Sequence, residues 1–160
     1  MAKIEFRGIA DYTAKLNRLE QRAEPVMRRA VFEGAKIVTD AIRAAISALT
    51  AYPDDAWAVT GTLKGPREWE KRAMLEGLGI SKMENKDGVI NAKIGFNGYC
   101  EHNGKQVPIP MIARSVESGT STRFMEGRGA IRKAVNSAKG AAEDAMRRTL
   151  DEEIGNIMNS

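Results

Sequence analysis

The chain has 160 residues, with 25 Lys and Arg against 21 Asp and Glu, one His and one Cys, and at this length about two-thirds of the unfolded surface is buried on folding, enough for one core in one domain. A lone cysteine, Cys100, excludes an intramolecular disulfide framework and fits folding in a reducing cytoplasm, while the opening Met1-Ala2-Lys3-Ile4-Glu5 has no apolar run of signal-peptide or membrane-span length. The net charge of +4 is spread evenly, 9 basic against 6 acidic residues in 1–50, 8 against 8 in 51–110 and 8 against 7 in 111–160, so no segment is a polybasic arm.

Taken in chain order, Lys3 to Phe6 reads as a short strand, and Ile9, Tyr12, Leu16 and Leu19 mark a first helix. Pro25 is placed to begin a second helix at its first turn, running from about Pro25 to Leu49. Its apolar stripe is Met27, Val31, Gly34, Val38, Ala41, Ile42 and Ala45, with Gly34 allowing a close approach. Ala51 to Pro66, with Pro53, Gly61, Gly65 and Pro66, is a loop. Glu68 to Gly77 fits either a short helix or the start of a strand. Leu78 to Met83 then alternates apolar with small or polar residues, and Asp87-Gly88 supplies a turn before Val89 to Phe96, which makes a hairpin. Asn97 to Pro110, with Gly98, Gly104, Pro108 and Pro110, is a second loop. Loops of this length are usually functional or disordered, so both are expected to be mobile in the isolated subunit and ordered against neighbours.

Met111, Ile112 and Val116 favour a pleated, half-buried strand that ends at Ser118, where Gly119 permits a turn and the Thr120 and Ser121 hydroxyls bond nearby backbone. Beyond it Ile131, Val135, Ala138, Ala142, Ala145, Met146, Leu150 and Ile154 recur at three- and four-residue steps along one face of a last helix. The expected fold is α+β: a small antiparallel sheet of at least three strands packed against two long α-helices, one N-terminal and one C-terminal, in a single domain spanning 1–160.

No catalytic constellation emerges, and the expectation is a protein without enzymatic activity, cofactor or metal. Cys100 and His102 lie two apart, the spacing of one strand face, but no second His or Cys completes a zinc site and an incidental surface pair is the favoured reading. Asp54-Asp55 and Asp151-Glu152-Glu153 read as solvated acids. Gly77-x-Gly79 lacks the third glycine and the strand-to-helix setting of a dinucleotide site, and no phosphate-loop motif occurs.

The last helix has its charges reversed relative to its macrodipole, with Arg128, Arg132 and Lys133 at the start and Asp151, Glu152 and Glu153 at the end. Each such charge costs about 0.3–1 kcal/mol at an exposed site. Screened surface charge accounts for this as well as a neighbouring copy does, the latter placing its acidic end near this basic one in a head-to-tail ring.

Three places in the chain carry a resemblance: Ile4 to Tyr12 followed by Leu16 and Leu19; Thr60-Gly61-Thr62-Leu63; and Val116-Glu117-Ser118-Gly119-Thr120-Ser121 with Arg123-Phe124 beyond. In this order they resemble the small neck, or tail-completion, proteins of long-tailed bacteriophages, the gene-ten-like tail-component family. Where that family often has prolines around the Phe, Met125-Glu126-Gly127-Arg128-Gly129 supplies glycines. The resemblance implies a structural virion protein that forms an oligomeric ring, commonly a hexamer, at the head–tail junction or tail end, completing the tail or joining it to the connector. It implies partners in itself, the head–tail connector and tail-tube or tail-terminator proteins, with no membrane and no specific nucleic acid, and a place in the virion neck after synthesis in the host cytoplasm. The candidate interface is Glu117, Gly119, Thr120, Arg123, Phe124, Arg128 and Arg132: Gly119 allows the reversal, Arg123 offers a planar donor fork for a carboxylate, and Phe124 is an apolar anchor or a cap on the core. The alternative is a small basic nucleic-acid-binding regulator, drawn from a pI near 9.3 and the clusters Arg22, Arg28, Arg29 and Arg123, Arg128, Arg132, Lys133.

Overall fold

The computed structural model describes residues 7–56, 64–120, 125–127 and 129–160. The strand expected at Lys3 to Phe6 and the Thr60-Gly61-Thr62-Leu63 stretch lie outside them. The architecture is α+β, with two long helices, two short ones and small antiparallel strand pairs.

The first helix, α1, is continuous from Arg7–Ser47 with Pro25 in its interior, so the expected break at Pro25 does not occur. A proline removes one intrahelical bond and crowds the preceding turn, yet the helix continues through it: Val26, Ala30, Ala35, Ile42 and Ile46 are buried after Pro25, and Leu19 and Ala23 are half-buried before it. This buried line runs beside the expected stripe; of that stripe Gly34 and Ile42 are buried and the other five residues are half-buried. Thr39 is buried with them and donates from Oγ1 to the Ala35 carbonyl at 2.8 Å. The final helix, α4 (Ala130–Asn159), runs antiparallel to α1. A Cβ on Gly34 would stand 2.6 Å from Met146 Cγ, which is the close approach the glycine was expected to permit. Ala138, Ala142 and Ile157 of α4 are buried, but Val135 and Ile154 are exposed, so the inward face of α4 is narrower than its apolar stripe.

Glu68–Gly77 is a helix, α2. Glu70 lies three residues after Arg67 and accepts the Arg67 N–H at 2.9 Å, and the Trp69 N–H donates to Asp54 Oδ1 at 2.9 Å, so orphan donors at its start are met. The ends of the preceding loop are clasped together, the Tyr52 N–H donating to the Pro66 carbonyl and the Glu68 N–H to the Tyr52 carbonyl, each at 2.9 Å. Lys71 Nζ reaches back to the carbonyls of Ser47 and Leu49 at 2.7 and 2.8 Å, a cation on the negative end of α1.

The Asp87-Gly88 hairpin forms as expected. Strands β1 (Leu78–Ile80) and β4 (Ile94–Phe96) pair antiparallel, as do β2 (Glu84–Lys86) and β3 (Val89–Asn91); Asp87 and Gly88 both take positive φ, 54° and 81°, the conformation of a two-residue turn matched to strand twist. Arg28 holds the ladder's far end to α1: it donates to the Met83 carbonyl at 3.1 Å and to Glu24 Oε1, while Glu24 Oε2 accepts from Asn85 at 3.2 Å. Those two hydrogen bonds, Arg28 first, hold the Glu24 carboxyl below its ordinary pKa.

Other expectations are overturned. Asn97 to Pro110 is not a loop throughout: β5 (Tyr99–His102) and β6 (Lys105–Pro108) form a second hairpin, turning at Asn103 and Gly104 with φ of 53° and 72°, the Asn-Gly pair that such turns favour. Met111 to Ser118 is not a strand but most of a helix, α3 (Ile109–Ser118). Ile109, Ile112, Ala113 and Val116 are its buried residues, spaced i, i+3, i+4, i+7, and Pro110 suits a helix's first turn; the period outweighs the β-propensity of Ile and Val. The expected three-stranded sheet is accordingly absent among the described residues, where strands pair two by two. The core gathers Ile42, Ile46, Met74, Leu78, Ile109, Ile112 and Val116 from α1, α2, β1 and α3. Among the described residues no helix is long and apolar enough to cross a membrane.

A continuous α1 has a measurable consequence. Replacing an interior proline restores a helix bond, so Pro25→Ala is expected to raise the unfolding free energy by about 1–3 kcal/mol in urea denaturation, after allowance for the unfolded chain's gain in freedom. Two separate helices joined at Pro25 predict no gain.

Candidate functional site

The expected interface falls where α3 ends and α4 begins. Gly119 closes α3 with φ 76°, its N–H donating to the Ser115 carbonyl. It then opens a two-residue strand, β7 (Gly119–Thr120), which pairs with β8 (Met125–Glu126), so the chain reverses and returns toward the start of α4. Gly127 is needed there for closeness: a Cβ would lie 2.5 Å from the Ser118 carbonyl carbon and 2.9 Å from the Glu117 carbonyl oxygen. Gly129 precedes α4 with φ 57°, and its N–H donates to the Glu117 carbonyl at 3.1 Å.

Glu117 organises this junction. It lies in the last turn of α3, not at the end of a strand, and its carboxylate accepts the backbone N–H of Ile131 through Oε2 and of Arg132 through Oε1, each at 2.9 Å. A helix N-terminus holds unsatisfied N–H groups and the positive end of the macrodipole, and a carboxylate there answers both. The adverse basic start of α4 is therefore compensated within the chain. The acids expected at its end, Asp151, Glu152 and Glu153, lie about two turns before it, because α4 runs on to Asn159, beyond the reach of the macrodipole; Glu153 pairs with Arg29 of α1 at 2.5 Å, and Arg18 Nη1 donates to the Ser160 carbonyl at 3.2 Å. The charge reversal read from the sequence does not by itself require a second copy.

The structure thus brings Glu117, Gly119, Thr120 and Arg132 to one junction. Arg123, Phe124 and Arg128 lie outside the described residues, as does Ser121. Thr120 is half-buried, whereas Arg132 and Lys133 are exposed. The Glu117 carboxylate works inward as a cap, and Arg132 and Lys133 are basic side chains presented outward. The capping role is not visible in the sequence because Glu117 lies 14 residues from Ile131, beyond the reach of any local capping pattern.

Cys100 and His102 belong to β5 and have separate surroundings. The Cys100 Sγ donates to the Val107 carbonyl at 3.7 Å, and burial pushes its thiol pKa up, with the Glu76 and Glu70 carboxylates adding to the effect. His102 stacks on Trp69 with ring centroids 4.0 Å apart and planes at 7°, fastening the second hairpin to α2. Among the described residues no three His, Cys, Asp or Glu side chains gather where they would hold a metal ion.

No family model matches this chain, and no curated protein or solved structure is significantly similar to it.

Two outcomes follow from this geometry. Glu117→Ala leaves two helix-end donors without their acceptor and is expected to cost about 1–2 kcal/mol in denaturant unfolding, with faster amide exchange at Ile131 and Arg132 than at mid-helix. Cys100 is expected to react with a disulfide reagent at pH 8 more slowly in the native chain than in guanidinium, because the thiolate is the reacting form and its pKa is raised. As its folded pKa is raised, its contribution to stability is complete below the ordinary thiol pKa and is lost as pH climbs through the folded one.

Proposed function

We propose that this protein is a structural component of a tailed-phage virion, forming an oligomeric ring at the head–tail junction that completes the tail or joins it to the head connector. The observation that carries the reading is the ordered set of residues resembling the tail-completion family, ending in Val116-Glu117-Ser118-Gly119-Thr120. The geometry lends support at that last motif. Its glutamate caps the start of α4 and its glycine closes α3 and opens β7, so the motif sits against the start of α4, where Arg132 is exposed. In the last third of α4, Asp151 and Glu152 are exposed while Glu153 is engaged by Arg29. An exposed basic start and an exposed acidic last third suit a heterologous contact, in which one copy's α4 start meets the last third of the next copy's α4 and the rotation closes a ring.

The nucleic-acid-binding alternative draws on arginines that are partly committed elsewhere, since Arg28 is bonded to Glu24 and Arg29 to Glu153. The two readings respond differently to salt and to mutation. The wild-type chain is expected to form closed rings of uniform size by mass photometry and negative-stain microscopy, with little response to added duplex DNA. Arg132→Glu is expected to abolish the rings while shifting the melting temperature by no more than about 2–4 °C, since an acid in the first turn suits the helix dipole. Rings that close normally in the variant overturn the interface, and a monomer whose DNA affinity falls steeply with salt supports the regulator.

A further inference from the structure

Two asparagines in this chain are followed by glycine, Asn97-Gly98 before β5 and Asn103-Gly104 after it. Such a pair is open to attack by the glycine's backbone nitrogen on the preceding side-chain amide, because glycine has no Cβ to block the approach. The fold treats the two pairs differently.

Asn97-Gly98 is held. The Asn97 N–H donates to the Gly77 carbonyl at 2.9 Å and the Gly98 carbonyl accepts the Ile109 N–H at 3.0 Å, so the peptide unit between them is tied on both sides. Its own N–H donates to Asn97 Oδ1 at 2.8 Å, and that bond lies in the peptide plane. Attack on Cγ needs the nitrogen's out-of-plane electron pair, so the planar unit has to turn first, and both flanking bonds oppose the turn.

Asn103-Gly104 has no such restraint. It is the two-residue tip of the β5–β6 hairpin, both residues are exposed, and among the described residues no acceptor takes the Gly104 N–H. Beside it stands a proton carrier: Asn103 Nδ2 lies 3.2 Å from His102 Nε2, and since an amide nitrogen only donates, Nε2 accepts. The imidazole is held in that place by its stack on Trp69, ring centroids 4.0 Å apart, so α2 orients it independently of the turn.

We propose that Asn103 is a self-modification site, at which Gly104 N attacks Asn103 Cγ to close a succinimide and His102 delivers the proton with which the side-chain nitrogen leaves as ammonia. The N–Cγ bond forms, and the Cγ–Nδ2 bond breaks with its electron pair going to nitrogen. The proton given up by Gly104 N passes through water to Nε2 and from there to the departing amine, so the imidazole ends as it began. Water then opens the succinimide to aspartate or, by opening its other side, to isoaspartate, whose main chain runs through Cβ. The extra main-chain carbon does not fit the two-residue turn that sets His102 opposite Lys105, so the product loosens a hairpin that is marginal by itself. The event occurs once per chain and rests on neither the ring nor its interface.

A single tryptic peptide, Ile94 to Lys105, carries both asparagines, so each sample contains its own control. The native chain is incubated at neutral pH, and conversion of each asparagine to the acid is followed in that peptide by tandem mass spectrometry. Asn103 is expected to convert about tenfold faster than Asn97. In guanidinium the two rates converge, because neither peptide is held and the imidazole no longer stands beside the amide. His102→Phe keeps a flat ring against Trp69 and removes the nitrogen; it is expected to slow Asn103 about tenfold, the low side of what a positioned proton donor supplies because water competes, and to leave Asn97 unchanged. A hairpin merely loosened by the substitution has the opposite signature, since a freer turn reaches the attacking geometry more readily and Asn103 then speeds up. Asn97 converting as fast as Asn103 in the native chain, a ratio of the two that persists in guanidinium, or a His102→Phe chain of native circular dichroism that converts Asn103 at the parent rate or faster each overturns the proposal.

Discussion

A helix of 41 residues draws most of its stability from the covering of its apolar stripe rather than from its own hydrogen bonds. The cover of α1 comes from different elements along its length, and the fold is the arrangement that supplies it. Towards its C-terminal end, Ile42 and Ile46 enter the core with Met74 of α2, Leu78 of β1 and Ile112 of α3. Along its middle, Val26, Ala30 and Gly34 lie under α4. Towards its start, Tyr12 and Leu16 are exposed. Pro25 is tolerated because the burial of Val26, Ala30 and Ala35 just after it outweighs the lost helix bond, a penalty of about 3 kcal/mol at most sites.

The short elements are fixed by polar contacts at helix ends more than by their own ladders. A two-stranded pair is marginal by itself, and each hairpin here is tied to a helix: the first by Arg28 and Glu24 of α1, the second by the stacking of His102 on Trp69 of α2 and by the Ile109 N–H bonded to the Gly98 carbonyl. The helix ends are answered in turn by side chains from elsewhere, Lys71 at the end of α1 and Glu117 at the start of α4. Each of these contacts satisfies an orphan backbone group and locks two elements together in the same step, which is how a chain with small strand pairs and a modest core keeps one arrangement.

Charge on α4 shows why a sequence pattern has to be placed in space before it is interpreted. Read along the chain, a basic start and an acidic end oppose the helix dipole and invite a partner. Folded, the start receives the Glu117 carboxylate, and the acids lie about two turns before the helix end with Glu153 paired to Arg29, so what remains for other copies is the exposed surplus: Arg132 and Lys133 at the start, Asp151 and Glu152 in the last third. That surplus is the part of the pattern on which the ring proposal draws.

The sequence by itself determined the two long helices, the Asp87-Gly88 hairpin, the close approach at Gly34 and the α+β class, because periodic burial and turn chemistry are local properties. It also contained signals that propensity masked: the i, i+3, i+4, i+7 spacing of Ile109, Ile112, Ala113 and Val116 marks a helix although its residues favour strands, and Asn103-Gly104 marks a hairpin inside an apparent loop. Whether Glu68 to Gly77 is helix or strand, and whether Pro25 breaks a helix, depended on burial against distant elements. So did the candidate junction. Glu117 became a cap only because α3 and the β7–β8 reversal return the chain to it 14 residues later, a matter of where elements meet in space, which no local spacing records.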